Sequence, residues 1–134
     1  MMIKGTTKNL GVMGWPIAHS LSPVLQNAAI AAADLDYTYM ALPVKPEALA
    51  AAVNGLKALQ FRGFNVTIPH KTAIMPLLDE IDEDARIIGA VNTVVNDDGK
   101  LTGYNTDVTG FIDAMLARGF NPKAKEVVLL GAGG

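Results

Sequence analysis

The sequence contains no cysteine and only two histidines among its 134 residues. The lack of cysteine excludes disulfide bonds and thiolate chemistry, since both require a thiol. His19 and His70 show none of the close spacings typical of transition-metal sites, so we predict no metal site. The apolar runs fall short of the ~20 residues that a membrane-spanning helix needs, and the first residues lack the apolar core of a signal peptide. We therefore expect a cytoplasmic protein with no membrane partner.

Charge is also sparse, at 18% of the residues, and the net charge is −2. The basic residues are scattered along the chain, which argues against a nucleic-acid partner. Half of the residues are hydrophobic, as in an ordinary globular domain with a core and unlike a disordered chain. These features indicate an α/β domain of the cytoplasmic type and say nothing about its chemistry. They leave the oligomeric state open, with a homodimer as one option.

Segments typical of strands alternate with segments typical of helices, which is the pattern of an α/β layered fold. The predicted strands are residues 10–13, 37–43, 61–68, 91–96, 100–104 and 126–130. The predicted helices are residues 22–33, 46–59, 73–88 and 106–118, although Pro76 makes one continuous third helix doubtful. Asp97-Asp98-Gly99 predicts a tight hairpin turn. We expect a sandwich with a mostly parallel mixed sheet flanked by helices, followed by the first strand of a Rossmann-type domain.

The end of the chain predicts a second domain. Asn121-Pro122-Lys123 is typical of a linker and places a domain boundary near residues 119–125. The sequence VVLLGAGG, residues 127–134, predicts a buried strand that runs into a glycine-rich turn. Such a strand and turn open a dinucleotide-binding domain. Gly131, Gly133 and Gly134 would then form an incomplete cofactor-binding motif.

Polar side chains follow the predicted strand of residues 61–68. Asn65 and Thr67 share one face of this strand because side chains alternate, and Lys71 comes just after Pro69. An amide, a hydroxyl and an ammonium at the carboxyl end of a strand suit a small polyhydroxylated ligand. The alternative interpretation is that Lys71 is a solvated lysine at the start of a helix.

Two further motifs place polar residues near predicted helix starts. In HSLSP, Ser22 is expected to be the N-cap, with Pro23 as the first helical residue, whereas Ser20 precedes the cap. Two hydroxyls at a helix N-terminus can hold a carboxylate, although capping alone also explains Ser22.

The third motif combines VNTVV with YNTDVTGF. Asn92 lies near the start of a strand, and Thr106 or Asp107 could cap the next helix. We interpret His70 as a loop residue, since no carboxylate near it in the sequence would orient it.

Five motifs occur in one order along the chain: GWPIAHSLSP, GFNVTIPHK, GAVNTV, GYNTDVTGF and LLGAGG. In these motifs and their spacing the chain resembles the shikimate dehydrogenases over nearly its whole length. The resemblance implies that residues 1–120 form a substrate-binding domain. It implies that residues 121–134 are the linker, first strand and glycine-rich turn of a truncated NADP-binding Rossmann domain. In this family the chain later returns to add helices and substrate contacts to the first domain.

The resemblance also implies an activity, namely NADPH-dependent reversible reduction of 3-dehydroshikimate to shikimate in the shikimate pathway of aromatic amino-acid and chorismate biosynthesis. Lys71 and Asp107 would be the catalytic acid/base pair and close neighbours, within about 4 Å of each other. The implied substrate-binding residues are Ser20, Ser22, Asn65, Thr67, Lys71, Asn92, Thr106 and Asp107. NADP would be bound mainly by the missing domain, so the 134-residue chain alone is expected to be inactive.

Alternatives remain at this point. A quinate/shikimate dehydrogenase would share these motifs, and a non-catalytic metabolite-sensing domain could share the fold. Loss of Lys71 or Asp107 would have favoured a sensing domain, and both are present. The sequence does not decide between NAD and NADP, nor whether Lys71 donates a proton or only stabilises an oxyanion.

Overall fold

The computed structural model describes residues 2–128, 130 and 131, and six of its strands form one sheet in the order β2-β1-β3-β5-β6-β4. The strands are β1 Lys8–Gly14, β2 Tyr37–Pro43, β3 Gly63–Val66, β4 Glu80–Ile81, β5 Thr93–Asp97 and β6 Lys100–Tyr104. The α-helices are α1 Ser22–Ala32, α2 Leu49–Ala58, α3 Glu83–Ile88 and α4 Asp107–Ala117. Two 3₁₀ turns, Pro46–Ala48 and Met75–Leu77, complete the elements of the described residues.

The sheet is mixed and mostly parallel, as predicted. β1 pairs in parallel with β2 and β3, and β4 pairs in parallel with β6. β5 runs antiparallel to both of its neighbours. The turn before β6 places Asp98 at φ 50° and Gly99 at φ 90°, as a two-residue hairpin loop of the primed type requires. The carboxyl ends of five strands therefore lie at the edge where β5 begins.

The two faces of the sheet carry separate cores because side chains alternate along each strand. On one face α1 packs over β1 and β2, with Val12, Ile17, Ile30 and Tyr39 buried together. The opposite face is covered by α2 and the segments before β5. Its buried residues include Met13, Val53, Phe64, Val66, Ile74, Val91, Val94 and Leu101. The Asn65 side chain therefore lies on the face covered by α1, whereas its neighbours Phe64 and Val66 belong to the core on the opposite face.

The predicted continuous helix of residues 73–88 is wrong. The segment instead forms the Met75–Leu77 turn, strand β4 and helix α3. Pro76 cannot donate an intrahelical hydrogen bond, and Asp79 turns the chain by accepting from the Leu101 amide at 2.7 Å. Asp82 then caps α3 by accepting from the Asp84 amide. A two-residue strand is too short to show a period in the sequence.

The remaining predicted elements are present, β2 and β6 with the predicted bounds and the others with shifted bounds, except for the last strand. The predicted strand of residues 61–68 is reduced to β3, since residues 67 and 68 already turn toward Pro69. In the predicted strand of residues 126–130, residues 126–128 and 130 are exposed and form no strand in the described part of the chain. A strand needs a neighbour for its backbone hydrogen bonds. Leu129 and the predicted cofactor glycines Gly133 and Gly134 lie outside the described residues.

The helices of the described residues include none that is long and apolar enough to span a bilayer. α4, the last of them, has no buried residue, and Phe111 on it is 66% exposed. It ends before Gly119, whose φ of 76° is the left-handed conformation expected of a glycine that stops a helix.

Candidate active site

The loops that follow β1 and β3 are joined at the carboxyl edge of the sheet. The Trp15 amide donates to the Ile68 carbonyl at 3.0 Å, and the Thr67 amide donates to the Met13 carbonyl at 2.9 Å. Gly14 permits this approach, since a Cβ at this position would lie 2.5 Å from Cγ2 of Thr67. Thr67 is therefore held in place by the strand that leads to the serine-containing loop.

The backbone of Lys71 is held on both sides. His70 lies in a loop, as interpreted from the sequence, but its side chain is only 1% exposed. Its Nε2–H donates to the Val44 carbonyl at 2.7 Å, which anchors the loop to the end of β2. The Lys71 carbonyl accepts from the Val91 amide at 2.8 Å. Lys71 thus lies next to the residue that precedes Asn92.

Lys71 and Asp107 form an ion pair, as the sequence resemblance predicted. The Nζ atom of Lys71 lies 2.5 Å from Oδ2 of Asp107. The Lys71 side chain is 21% exposed and the Asp107 side chain is 55% exposed, so solvent screens the pair in part. The hydrogen bond from Lys71 lowers the pKa of Asp107, and a hydrogen bond from Asn92 acts in the same direction, against the opposing effect of burial. Asp107 is consequently a carboxylate at neutral pH.

The carboxylate of Asp107 does not cap α4, so the capping interpretation is wrong for this side chain. The N-cap position is Thr106, which makes no side-chain cap hydrogen bond. The Asp107 amide instead donates to Oδ1 of Asn105 at 3.0 Å. Asn105 is buried, and its Nδ2 donates to the Ala90 carbonyl. Because Asn105 supplies the cap, the Asp107 carboxylate is left to contact Lys71.

The expected capping role of Ser22 is likewise taken by another residue, Ser20. Ser22 is the first residue of α1 rather than its N-cap, which is Leu21. Oγ of Ser20 accepts from the Ser22 amide at 3.3 Å, so Ser20 supplies the hydrogen bond expected of Ser22. Both serines are half-buried. They lie at the same sheet edge as Lys71 but make no hydrogen bond to Lys71, Asn92 or Asp107 within the described structure.

Asn92 joins the start of β5 to the start of α4. Its side chain is 8% exposed. Its Oδ1 accepts from the Thr106 amide at 3.0 Å and from the Thr93 hydroxyl at 2.9 Å, and its Nδ2 donates to Oγ1 of Thr106 at 2.9 Å. These contacts place Asn92 and Thr106 beside Asp107, so three of the predicted site residues are grouped here with Lys71.

Asn65 belongs to a neighbouring set of contacts. Its Nδ2 donates to Oγ1 of Thr93 at 3.1 Å and to the Asn92 carbonyl at 3.3 Å, and its Oδ1 accepts from the Tyr39 hydroxyl at 2.7 Å. Sequence reasoning missed Tyr39, Thr93 and Asn105. Thr93 could have been found, since it stands opposite Asn65 in the β3–β5 register, but only once that register is known.

Two of the concave regions that adjoin the sheet border strand β5. A cavity of about 330 Å³ on the α1 side is lined in part by Tyr39, Asn65 and Thr93 and therefore borders the group just described. A cleft of about 700 Å³ lies at the opposite edge, among Lys57, Arg62 and the hairpin turn. Lys57 is paired there with Asp79 at 3.0 Å, and Arg62 lies 3.6 Å from an oxygen of Asp97. This cleft contains none of the predicted site residues.

Comparison with known proteins points to one family. A family model described as shikimate dehydrogenase substrate binding domain matches residues 12–94. A shikimate dehydrogenase (NADP(+)) from Citrifermentans bemidjiense is 55% identical over 135 aligned positions, which cover 100% of this chain and 47% of the relative. The chain therefore spans about half the length of the curated relatives that it matches.

Solved structures agree with this comparison. A shikimate 5-dehydrogenase from Listeria monocytogenes, in complex with shikimate and NAD, superimposes with a TM-score of 0.87 at 45% identity, covering 90% of this chain and 42% of that chain. The ligand-free 5-ketofructose reductase of Gluconobacter sp. superimposes with a TM-score of 0.88 at 43% identity. That match covers 98% of this chain and 47% of the reductase.

Proposed function

The chain belongs to the family of shikimate dehydrogenase substrate-binding domains, and from this we propose that it is the substrate-binding part of an NADP-dependent shikimate dehydrogenase. Residues 1–120 would form the substrate-binding domain, and residues 121–134 would lead into the nucleotide-binding domain. The observation that carries the proposal is the Lys71–Asp107 ion pair at the carboxyl edge of the sheet. Neither charged group caps a helix or completes a core, and α/β sheets bind ligands at this edge.

The pair suits the reduction of a ring ketone to an alcohol. At neutral pH the ammonium of Lys71 carries the proton of the pair, since the pKa of Asp107 is lowered. A carbonyl oxygen placed beside Nζ would be stabilised as negative charge develops on it, and it would then take the proton from Lys71. Asp107 would hold Lys71 in position and accept a hydrogen bond from a neighbouring ring hydroxyl.

The remaining residues suit the other groups of shikimate. The hydroxyls of Ser20 and Ser22 lie at the N-terminus of the eleven-residue helix α1, where the helix dipole favours a carboxylate. Asn92, Thr106 and Thr67 would bind ring hydroxyls beside Asp107. Asn65, whose amide hydrogens both donate to protein acceptors, would line the same wall.

NADPH would supply the hydride when it is bound. Among the three predicted cofactor glycines, Gly131 is described, with a φ of 94° and no atom within 4 Å of the position of a Cβ. A left-handed, open glycine is compatible with a backbone turn that approaches a phosphate. We include a cytoplasmic location in the proposal, because a biosynthetic reductase needs access to the pool of NADPH.

Titration of the ¹⁵N-labelled chain with shikimate tests the substrate assignment. We expect amide shifts that saturate and that are concentrated at Ser20, Thr67, Lys71, Asn92 and Asp107. Lys71→Met should weaken binding by about tenfold, as expected for loss of a charged hydrogen bond worth about 1.5 kcal/mol. Lys57→Met is the matched control, since Lys57 is also paired with a carboxylate but lies at the opposite edge. Shifts scattered over the surface, or equal effects of the two variants, would contradict the proposal.

A second candidate is the reduction of a polyhydroxylated ketone that lacks a carboxylate. It is favoured by the similarity of almost the whole chain to a 5-ketofructose reductase. Assays of the complete dehydrogenase polypeptide with 3-dehydroshikimate, quinate and 5-ketofructose would separate these activities. Under the first proposal, Ser20→Ala and Ser22→Ala raise KM for the carboxylate-bearing substrate. Under the second, both variants leave the preferred reaction unchanged.

A further inference from the structure

A continuous series of side-chain hydrogen bonds connects the buried Tyr39 with the proposed site. We infer that Tyr39 is a positioning residue, whose hydroxyl orients the amide of Asn65 and, through Thr93, the amide of Asn92. The inference rests on the proposed function, since Asn92 is there a substrate-binding residue. Tyr39 itself contacts Asn65 and is connected to Asn92 only through Asn65 and Thr93.

The first step is the fixed position of Tyr39. Tyr39 is 5% exposed. It lies on the edge strand β2, where the side chain of Asn27 holds its backbone. Oδ1 of Asn27 accepts from the Tyr39 amide at 3.0 Å, while Nδ2 of Asn27 donates to the Tyr39 carbonyl at 2.8 Å. Burial raises the pKa of Tyr39 to about 12, so the phenol keeps its hydrogen at any physiological pH. The hydroxyl therefore donates to Asn65 with a fixed geometry.

The second step is the orientation of Asn65. Because its Oδ1 accepts from Tyr39 at 2.7 Å, its NH₂ group must face the other way. On that side lie two acceptors, Oγ1 of Thr93 at 3.1 Å and the carbonyl of Asn92 at 3.3 Å. Since Oγ1 of Thr93 accepts from Asn65, its own hydrogen is free to point elsewhere.

The third step is the orientation of the Asn92 side-chain amide. The Thr93 hydroxyl donates to Oδ1 of Asn92 at 2.9 Å. The Thr106 amide donates to the same oxygen at 3.0 Å, so both contacts select one orientation of the Asn92 amide. Its NH₂ group is then directed to Oγ1 of Thr106 and toward Asp107, whose pKa it lowers. Every donor in the series points from Tyr39 toward the ion pair.

Loss of the Tyr39 hydroxyl would remove the constraint on Asn65. If the Asn65 amide rotated, its oxygen would face the Asn92 carbonyl and compete for the Thr93 hydrogen. Asn92 would then lose the Thr93 hydroxyl as a donor to its Oδ1, although the Thr106 amide and, at 3.3 Å, the Thr106 hydroxyl would remain. We therefore expect the side-chain amide of Asn92 to become more mobile but to keep its orientation. A contribution typical of one neutral hydrogen bond corresponds to about a 3- to 10-fold loss of shikimate affinity.

The test compares Tyr39→Phe with Tyr37→Phe in the ¹⁵N-labelled chain. Phe at position 39 keeps the ring that packs with Val12 and Ile30 and removes only the hydroxyl. Tyr37 lies on the same strand, two residues earlier, and its hydroxyl makes no hydrogen bond to a described residue. The readouts are the side-chain NH₂ signals of Asn65 and Asn92 without ligand, and the affinity for shikimate.

We expect Tyr39→Phe to shift both NH₂ signals, to speed their exchange with water, and to weaken shikimate binding by about 3- to 10-fold. Tyr37→Phe should change neither readout. In a Thr93→Val background, which breaks the series in the middle, adding Tyr39→Phe should leave the Asn92 signal and the affinity unchanged. An unchanged Asn92 signal in Tyr39→Phe, or the same loss in the Thr93→Val background, would overturn the inference.

The two proposals fail in different ways. If neither the unmodified chain nor the complete dehydrogenase polypeptide binds shikimate, the proposed function fails, while the response of the Asn92 NH₂ signal still decides whether Tyr39 orients it. If shikimate binds with equal affinity to the unmodified chain and to Tyr39→Phe, the positioning role fails and the substrate assignment stands.

Discussion

The Nζ atom of Lys71 lies 2.5 Å from Oδ2 of Asp107, although the two residues are 36 positions apart in the sequence. Lys71 follows β3 and Asp107 begins the helix after β6, so no local structure brings them together. The sheet does so, because β3 and β6 both end at the edge where β5 starts. A partly exposed ion pair contributes little to stability, about 0–1 kcal/mol, and its position is better explained by chemistry than by folding.

The pKa of Asp107 should respond to removal of Lys71. In the folded chain this pKa lies below its ordinary value of 3.8. The pair therefore stabilises the fold at pH values above about 4, and this contribution is lost as the pH falls through the lowered pKa. In Lys71→Met we expect the Asp107 pKa, followed by ¹³C NMR of the carboxyl carbon, to rise toward 3.8.

Asp79 is the control for this titration. Its pKa is lowered by the Leu101 amide and by Lys57, so it should not change in Lys71→Met. An Asp107 pKa that stays equally low without Lys71 would show that the ion pair is not its main cause.

Activity should depend on Lys71 mainly through kcat. In the complete dehydrogenase polypeptide we expect Lys71→Ala to lower kcat by about 10²- to 10⁴-fold, since general acid catalysis contributes this much. KM should change far less, because the contact strengthens as charge develops on the carbonyl oxygen. Steady-state assays with 3-dehydroshikimate and NADPH measure both constants, with Lys57→Ala as the control. A rise in KM with unchanged kcat would show that Lys71 only binds the substrate and takes no part in the chemical step.

The two serines should differ in their effect on stability. Ser20→Ala removes the acceptor for the Ser22 amide at the start of α1 and should cost about 0.5–1 kcal/mol in the free energy of unfolding. Ser22→Ala should cost less, because the Ser22 side chain makes no cap hydrogen bond. Urea denaturation of the two variants measures the difference. A larger loss of unfolding free energy in Ser22→Ala than in Ser20→Ala would show that Ser22, and not Ser20, caps α1.

Gly14 should be intolerant of a methyl group. The Cβ of Gly14→Ala would lie 2.5 Å from Cγ2 of Thr67 and 3.1 Å from the Ile68 carbonyl oxygen. We expect a loss of about 1–3 kcal/mol in the free energy of unfolding, as is typical of overpacking. Shikimate affinity should fall as well, because Thr67 must move.

Gly55→Ala is the matched control for Gly14→Ala. Gly55 lies in α2, and no neighbouring atom is within 4 Å of the place that the added methyl group would occupy. This change should therefore stabilise the chain by about 0.5–1 kcal/mol, since alanine favours a helix over glycine. Thermal unfolding of both variants tests the contrast. Equal stability of the two would mean that β1 and the Thr67 loop are less closely packed than the structure shows.

Local patterns in the sequence determined most elements of the fold. β2 was predicted with its observed bounds, because a run of aromatic and apolar residues ending at proline is a local feature. The hairpin of β5 and β6 followed from Asp98 and Gly99, which adopt the positive φ that the turn requires. α4 was predicted within one residue at each end, since Gly119 stops it in the left-handed conformation. Each of these features depends on residues close together in the chain.

The sequence also determined which residue types stand at the strand ends, and motif resemblance singled out Lys71 and Asp107. It did not determine which side chain performs which local task. Ser20 rather than Ser22 accepts at the start of α1, and Asn105 rather than Thr106 or Asp107 caps α4. Neighbouring polar residues of similar type compete for the same backbone amide. The path of the chain after the preceding strand decides which of these side chains reaches the amide.

Only the tertiary structure decided the contacts across the sheet. The break at Asp79 depends on the Leu101 amide, 22 positions away, and the orientation of Asn65 depends on Tyr39, 26 positions away. Periodicity reports which face a residue occupies but not its partner on the neighbouring strand, because the order and register of strands are set by packing over the whole sheet. The Tyr39 series and the pairing of Lys71 with Asp107 exist only once β3, β5 and β6 are aligned.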